Sequence, residues 1–120
     1  MTLGFAPGDD LVFQLESGFG LLRVIAVEAE TAGTVWHLLA YEELFPDVEA
    51  AEAALAYGDT RRLGLRAAPL PLTDYAFAKP PAARLGNRPV TSDELAPYLA
   101  WRARNGEAFD RPALTLLGLR

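Results

Sequence analysis

Cysteine is absent from this 120-residue, 13.0 kDa chain. That excludes disulfides, thiolate metal sites and a cysteine nucleophile. A single histidine, His37, excludes a histidine-rich metal cage and any site that needs two imidazoles. Serine occurs only at Ser17 and Ser92, and lysine only at Lys79. Long apolar runs are missing too. Phe19 to Val27 and Val35 to Tyr41 are interrupted by Arg23 and His37 and have the length of strands, well short of the roughly eighteen residues a membrane span requires. The first ten residues lack the basic head and apolar body of a secretory signal, so the expected location is the cytoplasm. Half the chain is apolar (51%) and 22% is charged, which suits one globular domain over residues 1–120.

What is present is a segregation of charge. Residues 1–60 hold eleven acids and the single base Arg23, a net of −10. Residues 61–120 hold ten bases and five acids, a net of +5. Such a division sets a long-range field that steers charged partners. The alternative is internal: in one compact domain the two halves can face and neutralise each other.

Leu11, Phe13 and Leu15 alternate with Val12, Gln14 and Glu16, the period of a half-buried strand. Phe19 to Ala29 follows the Ser17-Gly18 turn, with Leu21, Arg23, Ile25 and Val27 on one face and Leu22, Val24 and Ala26 on the other. Thr34 to Tyr41 is the third strand of an antiparallel meander. Pro46-Asp47 opens a helix, with Val48, Ala51 and Leu55 on its stripe and Gly58 at its stop. Arg61 to Arg66 alternates like a strand, and Pro69 and Pro71 confine Leu70 to Ala78 to an edge or an extended segment. Lys79 to Pro89 reads as loop. Thr91 and Glu94 have the spacing of a capping box, for a helix to about Arg104 that Pro97 either kinks or delays to Ala96. Ala113 to Leu119 completes the pattern as a last strand. The expected fold is α+β and β-rich: a small curled antiparallel sheet or partly open SH3-like barrel with one or two short helices.

Most catalytic chemistry is missing. Ser17 and Ser92 already have turn and cap roles, and neither sits in a nucleophile elbow. Gly18-Phe19-Gly20 joins strand to strand and lacks the lysine and helix of a phosphate loop. Glu42 and Glu43, with Asp47, Glu49 and Glu52 behind them, are the one paired-carboxylate candidate, and they read first as a solvated loop and an acidic helical turn. No calcium-loop pattern appears, and neither a metal nor a cofactor is expected. Trp36, His37 and Tyr41 fit either the core or an interface.

Pro7-Gly8-Asp9-Asp10-Leu11-Val12-Phe13-Gln14-Leu15, followed by Gly18-Phe19-Gly20-Leu21-Leu22-Arg23-Val24-Ile25, resembles the opening of bacterial immunity-type SH3-like barrel proteins. The resemblance spans residues 7–41, and it implies a small cytoplasmic protein that neutralises a toxin by binding without catalysis. The charge pattern leads to a matching expectation: an acidic surface formed by Glu28, Glu30, Glu42, Glu43, Asp47, Glu49 and Glu52 that binds a basic protein partner. The alternative is nucleic-acid or anionic-ligand binding through Arg61, Arg62, Arg66, Arg84 and Arg88, and a small carboxylate enzyme is the third reading. A homodimer stays open, and no membrane partner is expected.

Overall fold

The computed structural model describes residues 4–30, 33–56, 64–78 and 81–111, with the Glu30 side chain left out. In chain order the elements are β1 (Asp9–Leu15), β2 (Gly18–Glu30), β3 (Gly33–Tyr41), α1 (Val48–Ala56), β4 (Leu65–Thr73), α2 (Asp74–Phe77), β5 (Ala82–Asn87) and α3 (Ser92–Ala103). The five strands form one antiparallel sheet in the order β4-β3-β2-β1-β5, which does not close into a barrel. The fold is therefore α+β and β-rich. Both faces of the sheet are covered. Leu11, Phe13, Leu22, Val24, Trp36, Leu38, Leu70 and Leu72 pack on one face with α2. On the other, α1 covers Val12, Leu21 and Tyr41, and α3 covers Ile25 and Leu39.

The meander follows the period-two pattern with one departure. The register of β2 against β3 shifts between Val24 and Ala26, leaving Ile25 as the extra residue of a bulge. Ile25 and Ala26 consequently both reach the α3 cluster, while Val27 crosses to the face of Leu22 and Val24. The expected faces for Ala26 and Val27 are thus reversed, because a bulge inverts all alternation beyond it.

The tight hairpin explains its own glycines. Gly18 has φ +146°, and a Cβ there would lie 2.7 Å from the Phe45 carbonyl oxygen. Gly20 sits opposite Phe13 in the register, and a Cβ would meet the Phe13 ring at 2.5 Å.

Differences from the sequence expectation gather in the second half of the chain. β4 is an edge strand, as the prolines require, but the chain from Asp74 turns helical where an extended segment was expected. Residues 82–87, expected as loop, pair with β1 as β5. Thr91 and Glu94 form the full capping box, so α3 starts at Ser92 and not near Ala96. Pro97 lies inside it, where it forgoes a backbone bond to the Asp93 carbonyl. The expected strand at Arg61 begins at Leu65 within the described residues, and Gly58 and the expected strand at 113–119 lie outside them.

Candidate interaction surface and buried charge network

Asp10 on β1 stands opposite Arg23 on β2, and this cross-strand pair organises much of the charge in the molecule. Arg23 is fully buried. Burying a guanidinium is tolerable only when its donors are satisfied, and here all of them are. Nε donates to Glu94 Oε2 at 2.5 Å, and Nη1 to the Gly8 carbonyl at 2.9 Å and Asp10 Oδ1 at 3.1 Å. Nη2 donates to the carbonyls of Arg88 and Pro89 at 3.1 and 3.0 Å and to Glu94 Oε1 at 3.1 Å. Glu94 also closes the capping box of α3, so one carboxylate both starts the helix and docks it on the sheet.

Two further arginines complete the network. Arg88 grips Asp10 with two bonds, Nε to Oδ2 at 2.7 Å and Nη2 to Oδ1 at 2.9 Å. Arg84 on β5 donates from Nε to Asp9 Oδ2 at 3.0 Å, while Asn87 donates to Asp9 Oδ1 at 2.8 Å and the Ala6 N–H to Oδ2 at 2.8 Å. Burial alone would raise the Asp9 carboxyl, but Asn87, the Ala6 N–H and Arg84 together hold it below its ordinary value. Glu94 is likewise pushed up by burial and brought below its ordinary value by Arg23 and Thr91. The Asp10 hydrogen bonds outweigh burial at Arg88 and raise its guanidinium.

The acids expected to form one partner-binding surface are divided. Glu28 shares a 2.8 Å hydrogen bond with His37 Nε2. His37 is buried, with its ring 4.4 Å from that of Tyr98 and 4.5 Å from that of Trp101. Glu28 pairs across to Val35, seven residues along β3 from Glu42, which separates the two by about 23 Å at strand rise. The Glu30 side chain lies outside the description. Glu42, Glu43, Asp47, Glu49 and Glu52 stay together in the stretch leaving β3 and entering α1, and all five are exposed. Their backbone is anchored: Phe45 and Phe19 exchange two backbone hydrogen bonds of 2.8 Å each, and Phe45 is buried. Asp47 has a local task as well, accepting the Ala50 N–H at 2.7 Å to cap α1. Among the described residues, none of these five acids is paired with a cation.

The arginines expected as an anion-binding stripe are also dispersed. Arg84 and Arg88 serve Asp9 and Asp10, Arg66 is exposed on β4, and Arg61 and Arg62 lie outside the described residues. Trp36 and Tyr41 are buried, which makes them core residues along with His37. Sequence reasoning missed Asp9, Asp10, Arg23 and Glu94 as a unit. Period two put Arg23 on the apolar face of Leu21 and Ile25, and that was the one available signal.

The described residues thus make a small α+β protein in which Arg23 is buried, Arg84 and Arg88 pair with Asp9 and Asp10, and the acids from Glu42 to Glu52 face water. No family model, curated protein or solved structure matches the chain. No described helix is long and apolar enough to cross a membrane.

Proposed function

We propose that the protein is a non-catalytic binding domain of immunity or regulatory type, whose acidic surface at Glu42, Glu43, Asp47, Glu49 and Glu52 binds a basic protein partner. One observation carries this reading. Arg23, Arg84 and Arg88 are consumed by Asp9, Asp10 and Glu94, whereas the β3–α1 acids stay in solvent on an anchored backbone. A field of one sign on a held surface speeds encounter with a basic partner and orients it. The immunity-type likeness of residues 7–41 points the same way, since a toxin that attacks nucleic acid presents a basic site that carboxylates can occupy. Two alternatives are weaker on this geometry. An arginine stripe loses Arg84 and Arg88 to pairs with Asp9 and Asp10, and a carboxylate enzyme would need an enclosed pair, whereas Glu42 and Glu43 are exposed.

The test is affinity capture from nuclease-treated lysate of the source cell at low and high salt, with the wild type beside a Glu42→Lys/Glu43→Lys variant. The expected result is a basic protein held by the wild type at low salt, released at high salt and lost by the variant. The association rate of that pair should fall about tenfold or more on charge reversal. Equal capture by both forms, or nucleic acid recovered from untreated lysate, overturns the reading.

A further inference from the structure

His37, the single histidine of the chain, is buried where β2, β3, β4 and α3 meet. On β3 it pairs with Ala26 of β2 and Pro71 of β4, and its Nε2 shares the 2.8 Å hydrogen bond with Glu28 Oε1. From α3, the rings of Tyr98 and Trp101 stand 4.4 and 4.5 Å from the imidazole. Exposed Arg102 lies beyond the phenol, with Nη1 3.4 Å from the Tyr98 hydroxyl. Thus β2 turns a carboxylate toward the imidazole, β4 sets a proline beside it, and α3 brings a phenol, an indole and, farther out, a guanidinium. An ionised carboxylate only accepts, so Nε2 carries a proton in both states of the ring, and the proton that comes and goes is on Nδ1. Burial opposes the imidazolium. The opposite charge at 2.8 Å favours it, as do two rings inside the roughly 6 Å range of cation–π attraction.

We infer that His37 is a pH-sensitive latch: as an imidazolium on Glu28 it fixes the C-terminal half of α3 and the segment that follows, and it releases both on losing its proton. Trp101 carries the effect outward. Its indole N–H donates to the Glu107 carbonyl at 3.2 Å, and its own carbonyl accepts the Gly106 N–H at 2.9 Å. Phe109 then lies along β4, donating to the Pro71 carbonyl at 2.8 Å and accepting the Thr73 N–H at 3.0 Å. A neutral ring loses the charge assistance of the Glu28 bond and the attraction of the aromatic rings. Contacts that favour the charged form make the latch complete below the unfolded histidine value of about 6.5, and it is lost as pH rises through the higher folded value. The N-terminal half of α3 is held separately, by Glu94 on Arg23. The inference is independent of the protein-binding surface, because it uses none of the β3–α1 acids.

The imidazole C–H signals are followed by NMR from pH 5 to pH 9, free of overlap because there is one histidine. Amide exchange is measured over the same range and corrected for its intrinsic rate. The His37 midpoint should lie above about 6.5. Glu28→Gln keeps an acceptor for Nε2 without the charge and should lower that midpoint by about one unit or more. Protection of the Gly106 amide should fall about tenfold as His37 loses its proton. The Leu95 amide, bonded to the Thr91 carbonyl at the Arg23 end of α3, should keep its protection. Four outcomes overturn the inference: a midpoint at or below about 6.5 or no titration at all, a midpoint that Glu28→Gln leaves in place, Gly106 protection level across the titration, or equal loss at Gly106 and Leu95.

Discussion

Two regions of one sheet carry ionised side chains and use them in opposite ways. Around Arg23, charges of both signs are buried and every donor of the Arg23 guanidinium has an acceptor; along Glu42 to Glu52, charges of one sign stand in water on an anchored turn and helix. The difference shows that charge segregation along a chain has two separable consequences. Where the fold brings the halves together, the charges hold the structure; where it leaves one half exposed, they are available to a partner. Losing a charge should therefore be costly in the first region and nearly free in the second.

The sharpest test of that contrast is Arg23→Leu. It leaves the buried Asp10 and the partly buried Glu94 with part of their compensation gone, and stability should fall by about 3–5 kcal/mol, read as the urea midpoint. A loss below about 1 kcal/mol would mean that the network contributes little and that the two regions do not differ.

Acid titration probes the same network without mutation. Asp9 and Glu94 have lowered pKa values in the folded state, so the unfolded chain takes up protons first as the pH falls. Their contribution is complete above the unfolded values, about 3.9 for Asp and 4.3 for Glu, and is lost as pH falls through the lower folded values. The urea midpoint should decline steeply below about pH 5, and Arg23→Leu should flatten that slope. A midpoint level from pH 5 to pH 3 would contradict the assignment.

Smaller effects complete the comparison. Thr91→Ala removes the hydroxyl that accepts the Glu94 N–H and should cost about 1 kcal/mol. Glu42→Gln/Glu43→Gln should change stability by less than about 0.5 kcal/mol while weakening the salt dependence of partner binding. A destabilisation of about 2 kcal/mol there would show these acids to be structural, like those around Arg23.

The legible parts of the sequence were those with a local cause. Leu11, Phe13 and Leu15 recur at period two because one face of β1 is buried, and Thr91 with Glu94 announces α3 because the capping box closes over three residues. β5 was hidden: Ala82-Ala83-Arg84-Leu85-Gly86-Asn87 has no alternation of its own, and pairing with β1 makes it a strand. The bulge at Ile25 was equally invisible, being a misfit between β2 and β3 with no mark on either.

The candidate surface divides along the same line. Local composition placed Glu42, Glu43, Asp47, Glu49 and Glu52 together, since a strand end and the first turns of a helix keep neighbours in sequence neighbours in space. By itself the sequence determined the meander, the start of α1, the capping box of α3 and the −10 to +5 division of charge. Tertiary structure alone decided that Arg88, 65 residues from Arg23, would share Asp10 with it and that Glu28 would lie far from Glu42. The reason is physical: hydrogen bonding within a turn or strand is set by nearby residues, whereas compensating a buried charge depends on which distant segments the packed sheet brings into contact.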